Sequence, residues 1–139
     1  MTVSSDRLLR RTLWGNAAFS VISGAALAVF AGPFARAATD APVSVLGLDL
    51  AILFELLGVG VVAFGALCAW IASRPELPQG WARFIFVADI AWVAGSAAVL
   101  ALPASWTTAG IAGIVVLAAI VADLAILEYL GLRKMSAAN

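Results

Sequence analysis

Residues 46–72 read LGLDLAILFELLGVGVVAFGALCAWIA, an apolar run broken only by the acids Asp49 and Glu55. A helix rises about 1.5 Å per residue, so ~20 apolar residues cross the ~30 Å of hydrocarbon in a bilayer. Residues 13–34, 84–102 and 106–130 are built the same way. Transmembrane strands alternate polar and apolar residues over about ten positions, and these runs do not. In lipid, each backbone N–H and C=O must find its partner within the segment, which also selects helices. The pattern predicts an all-α membrane protein with four transmembrane helices.

Composition points the same way. Of 139 residues, 64% are hydrophobic and 12% charged, and the mean hydropathy is +1.08. Soluble domains are nearer half apolar and a quarter charged, so lipid is the expected solvent and bilayer lipid the expected contact. The length is expected to hold one membrane-embedded domain over residues 1–139. The formal net charge of zero argues against a nucleic-acid partner, because no excess of basic groups can neutralise phosphates. There is no histidine, which removes imidazole-based metal sites and catalytic triads. The one cysteine, Cys68, sits in an apolar run and is expected to be a small buried hydrophobe. No catalytic residues, metal site or cofactor are therefore expected, and the chain is not expected to be an enzyme.

The breaks between runs set the topology. Gly32-Pro33 is expected to close the first helix, followed by a polar loop from Arg36 to Pro42. Ser73 to Gly80 contains two prolines and forms a turn, and Pro103-Ala104-Ser105 is a short hairpin. Short connections make neighbours antiparallel, so an up-down-up-down bundle follows. Seven of the eight Lys and Arg residues fall on one side of such a bundle, and only Arg36 falls on the other. The positive-inside rule then places both termini in the cytoplasm. Trp14, Trp70, Trp81 and Trp106 lie near helix ends, where amphipathic rings favour the interface. Arg10-Arg11, an apolar stretch and Ala35-Arg36-Ala37 imitate a signal peptide, but the stretch exceeds the usual 7–15 residues and is expected to be a true helix. The Ala-rich, Lys-poor composition with short loops is common in small bacterial membrane proteins, so a bacterial inner membrane is the expected location.

Two internal matches stand out. Asn16-x-x-Phe19-x-x-x-Ser23 aligns with Asp89-x-x-Trp92-x-x-x-Ser96, and both stretches enter from the same side. Asp49-Leu-Ala-Ile-Leu also matches Asp123-Leu-Ala-Ile-Leu, but the expected depths disagree, so the match is discounted.

Four small residues on the first helix, Ser20, Gly24, Ala28 and Gly32, are spaced by four. This spacing predicts a seam where two helix backbones approach closely. Gly95, Gly110 and Gly113 are candidate facing positions, and a face between copies of the chain is the alternative.

The acids carry the functional argument. A carboxylate at the bilayer centre costs roughly 2.5–3.5 kcal/mol on insertion scales. No Lys or Arg lies between Arg36 and Arg74, or between Arg83 and Arg133. By depth, Asn16, Asp89 and Asp123 are expected to form one polar inner layer, either structural or a proton or cation path. Glu55 is expected alone further out, inside the bundle, with Thr107 or Thr108 as a hydrogen-bond partner. Asp49 and Glu128 are expected to be solvated interfacial charges. The function these features favour is a non-enzymatic membrane subunit or scaffold, assembled as a homo-oligomer or within a larger membrane complex. The alternative is a small cation- or proton-coupled transporter that uses the intramembrane carboxylates.

Overall fold

The computed structural model describes residues 6–137. Its first helix, α1 (Arg7–Val29), stops where Pro33 begins to act. Pro33 has no N–H to offer the Val29 carbonyl, and its ring crowds that carbonyl. The chain bends at Phe30 (φ −106°, ψ 26°) and resumes as a short helix, α2 (Ala31–Ala38). The expected span 13–34 is thus covered by two helices, and the first three residues of the polar loop drawn from Arg36 to Pro42 are the end of α2.

Beyond α2 lies a two-stranded antiparallel hairpin, β1 (Ser44–Val45) and β2 (Leu48–Asp49). Its turn residues Leu46 and Gly47 both have positive φ, 53° and 79°, as a two-residue hairpin of this hand requires. Leu46 stands 95% exposed at the tip. The second apolar run therefore starts as a hairpin rather than a helix. Its helix, α3 (Leu50–Ala72), is capped by Asp49, whose carboxylate accepts from the Ala51 N–H at 2.7 Å.

The remaining helices are longer than their apolar runs. Pro78 sits just before α4 (Gln79–Leu100), where its missing N–H costs nothing. The last helix, α5 (Thr108–Ala137), continues two turns past Leu130. That extension buries Gly131 and Met135 while Arg133 and Lys134 stay on its outer side. Thr107 caps α5 by accepting from the Gly110 N–H at 2.9 Å, and its hydroxyl donates to the Ala37 carbonyl. It does not reach Glu55.

Among the described residues the fold is all helical apart from the small hairpin, with five helices. Four of them, α1, α3, α4 and α5, are long and apolar enough to cross a membrane. Their packing is uneven. Helix α1 makes its most extensive contact with α3 and a second one with α5, while α4 leans mainly on α5 and barely touches α3.

The α1–α3 seam explains the small residues. A Cβ on Gly24 would lie 2.7 Å from the Gly58 carbonyl oxygen and 2.8 Å from the Val62 nitrogen. A Cβ on Gly65 would meet Ala17 and Ser20 at 3.0 Å. Ser20, Gly24 and Ala28 thus face Gly58 and Gly65 across a backbone-to-backbone contact. Gly32 lies past the bend, and a Cβ there would meet only the Arg36 side chain. Gly95 and Gly113 face open space, so they are not the seam's other half. Gly110 instead packs on the Ala38 backbone at the other end of the fold.

One end gathers the main core. Leu9, Leu13 and Ala17 of α1 meet Cys68 and Ile71 of α3, Leu77 of the turn before α4, Ala82 and Ile85 of α4, and Met135 of α5. Arg10 locks this end. Its guanidinium donates to the carbonyls of Ala72 and Arg74, both at 2.6 Å, and to Pro75 at 3.2 Å, while pairing with Asp6 at 2.8 Å. These carbonyls form the unsatisfied, partly negative C-terminus of α3, where a cation is favourable.

Candidate functional site

Above this core the chain buries a polar layer. Asn16 of α1 is 1% exposed, Asp89 of α4 is 4% exposed and Glu128 of α5 is 0% exposed. The side-chain amide of Asn16 donates to Asp89 Oδ2 at 2.6 Å and to Glu128 Oε1 at 3.0 Å. Both amide hydrogens are thus spent on carboxyl groups. The remaining Asn16 oxygen accepts from the Ser20 hydroxyl at 3.0 Å, one turn further along α1. Because one nitrogen serves both acids, their facing oxygens can be no further apart than the two bonds laid end to end. Cys68 of α3 is fully buried in the apolar core that also holds Leu13 and Ala17, the α1 residues on either side of Asn16 along its buried stripe.

Each helix delivers its residue for a local reason. Asn16 follows Leu9 and Leu13 on the buried stripe of α1 at helical spacing. Asp89 is the last of three buried residues on α4, after Ala82 and Ile85. Glu128 continues the stripe Val121 and Ala125 on α5, and Gly131 below it lets α1 approach so closely that a Cβ would meet Leu9 at 2.8 Å. All three polar groups sit roughly 15 Å along their helices from the ends gathered around the Leu9 core.

The structure brings Asn16 and Asp89 together and replaces the third expected member. Asp123 is exposed on the outer face of α5, and Glu128 takes the interior place. Glu128 is therefore not a solvated interfacial charge. The reasons are the two turns by which α5 outruns its apolar stretch, which carry Glu128 away from the helix end, and helical phase. Asp123 shares its face with Val116, Ile120, Leu127 and Leu130, all exposed. Glu55 is likewise exposed, between Ile52, Leu56 and Val59 on the outside of α3, and has no place in the bundle interior. Asp49 stays at the surface as a helix cap.

Two polar atoms near this layer lack partners. Glu128 Oε2 is buried without a hydrogen bond, and so is the indole Nε1 of Trp92, one turn beyond Asp89 on α4. Past Asp89, α4 has no buried residue, and an apolar furrow lined by Phe86, Ile90, Val93, Ala122, Ile126 and Tyr129 runs between α4 and α5.

The matched sequence stretches meet here. Asn16 and Asp89 occupy equivalent positions in the pattern, and they bond to each other. Their downstream serines also behave alike. The Ser23 hydroxyl donates to the Phe19 carbonyl at 2.7 Å and the Ser96 hydroxyl to the Trp92 carbonyl at 2.8 Å.

The surface at the Leu9-core end is aromatic and basic. Trp70, Trp81 and Phe84 stack edge to face at about 6 Å, and Arg74 lies over the Trp70 ring at 4.1 Å. Arg133 lies 5.8 Å from the Tyr129 ring. Rings and cations of this kind suit the headgroup level of a bilayer.

Four long apolar helices around a small buried polar layer are compatible with a small membrane protein. No protein-family model, curated protein or solved structure matches this chain.

Proposed function

We propose that this chain is a small, non-enzymatic, multi-pass subunit of a bacterial inner-membrane complex. Its four spans run up-down-up-down with both termini in the cytoplasm, following the seven-to-one placement of Lys and Arg. The observation that carries the subunit reading is the outward placement of Glu55 and Asp123. Both are exposed on helices whose neighbouring residues are bulky aliphatics. Asp123 lies near the middle of α5, where a carboxylate facing lipid costs a few kcal/mol, and Glu55 lies nearer one end of α3, where the cost is smaller, so a surface that offers donors there gains by covering them. This chain has no Lys or Arg at those depths, so a second copy brings no charge partner. A different membrane protein, with a basic or amide side chain in its spans, meets the requirement.

The test is site-specific photocrosslinking in native membranes from a residue placed at Leu127, one turn from Asp123. The reading expects adducts with one identifiable membrane protein, lost when Asp123 is changed to Leu. Adducts with lipid alone, or with a second copy alone, would contradict it.

A further inference from the structure

The polar layer offers a binding site that a purely structural hydrogen-bond network does not need. Two carboxyl groups share one amide, and among the described residues no Lys or Arg side chain is buried with them. Repulsion at that distance in low dielectric is too large for both to stay charged and uncompensated. Something carrying one positive charge must complete the layer.

Its chemistry follows from the donor set. Asn16 points its N–H groups, not its oxygen, at the acids, and its oxygen is already taken by Ser20. An alkali or divalent ion needs a cage of oxygens. Among the described residues, no three His, Cys, Asp or Glu side chains gather as a metal cage. A proton needs only one free carboxyl oxygen, and Glu128 Oε2 is one: it lies in a fully buried side chain and accepts from no donor.

We propose that Asn16, Asp89 and Glu128 form a binding site for a single exchangeable proton. The proton adds to Glu128 Oε2 and leaves Asp89 as the one carboxylate, held by the Asn16 amide. On release, a water-borne base accepts the proton from Glu128, and the layer passes from one negative charge to two. The groups facing it are few. Helix α1 contributes the non-titrating Asn16 and Ser20, α4 Asp89 and α5 Glu128, and the titratable group that α3 buries is Cys68, in the adjoining apolar core. Because α4 reaches α1 through Asn16–Asp89 and has nothing buried beyond Asp89, the second charge acts on the least secured helix.

Infrared spectra of the full chain in lipid nanodiscs test this. A background carrying Glu55→Gln and Asp123→Asn removes the lipid-facing acids. In it, one carbonyl-stretch band of a protonated carboxyl is expected near neutral pH, shifting in heavy water and vanishing at high pH. Glu128→Gln and Asp89→Asn should each abolish the band, because either amide supplies permanently the donors that the proton brings. The pH-dependent carbon-13 shift of the Glu128 carboxyl in the unmutated protein reads the same proton with no variant. No such band, a Glu128 shift that stays at the carboxylate position, or a band that persists in both variants would overturn the proposal. So would a band lost when sodium replaces choline at constant pH, which would make the site a metal-ion site.

Discussion

The half of the molecule that holds the Leu9 core and the half beyond the polar layer are stabilised in different ways. The first has a continuous apolar core, a three-helix polar layer and the Arg10 lock on the end of α3. The second relies on the backbone contact of Gly24 and Ala28 with Gly58, and on short bonds such as Thr107 N–H to the Ala38 carbonyl. Helix α4 belongs fully to the first half and only loosely to the second. The contrast teaches that in a chain with little polar surface, a few buried polar side chains decide where helices converge. Elsewhere, small residues decide how close they come.

The largest effect is expected from breaking the polar layer. Asn16→Leu removes the only donor given to both acids and should destabilise the fold by about 3 kcal/mol, read from unfolding in mixed detergent micelles. A cost near zero would mean the layer is not what joins α4 to α1. Next comes the other half's main contact. A Cβ at Gly58 would lie 2.5 Å from the Ala28 nitrogen and 2.6 Å from the Gly24 carbonyl oxygen. Both are backbone atoms, so Gly58→Ala must push α1 and α3 apart, at about 2 kcal/mol by the same measurement. Arg10→Gln should cost about 1 kcal/mol, because the lost charge-assisted bonds lie in a guanidinium that is 27% exposed. It should also hasten amide exchange in the last turn of α3. The smallest effect is expected at Gly95, where a Cβ meets nothing. Gly95→Ala should change stability by less than about 0.5 kcal/mol, and a large loss there would show that α4 is packed more tightly than its contacts indicate.

The four spans were legible because length and hydropathy alone decide which segments suit a bilayer. The seam on α1 was legible in part: Ser20, Gly24 and Ala28 are there, but their partners are Gly58 and Gly65 rather than Gly95, Gly110 or Gly113. Spacing on one helix cannot say which neighbour it meets. The hairpin at the start of the second run is hidden in the sequence because Leu46 is apolar, yet adopts the left-handed backbone of a hairpin tip. Depth along a helix is readable for Asn16 and Asp89, but not on α5, which runs two turns past the apolar stretch to Ala137 and so carries Glu128 to the level expected for Asp123. Azimuth around the helix also separates Asp123 from Glu128. Glu128 shares its stripe with Ala125 and Gly131, residues small enough for close packing, whereas Asp123 sits among Ile120, Leu127 and Leu130. The same distinction separates Glu55, beside Leu56 and Val59, from the packed face of Gly58 and Gly65. In a membrane helix the bulky face turns to lipid and the small face to its neighbour, so this signal was present in the sequence.

One amide on α1 holds an acid from α4 and an acid from α5. Solid-state NMR in lipid bilayers, with nitrogen-15 in the Asn16 side chain and carbon-13 in the Asp and Glu carboxyls, tests it directly. Dipolar transfer from the Asn16 amide nitrogen is expected to reach the carboxyl carbons of Asp89 and Glu128, and neither Asp123 nor Glu55. Transfer to Asp123, or to Asp89 without Glu128, would contradict it.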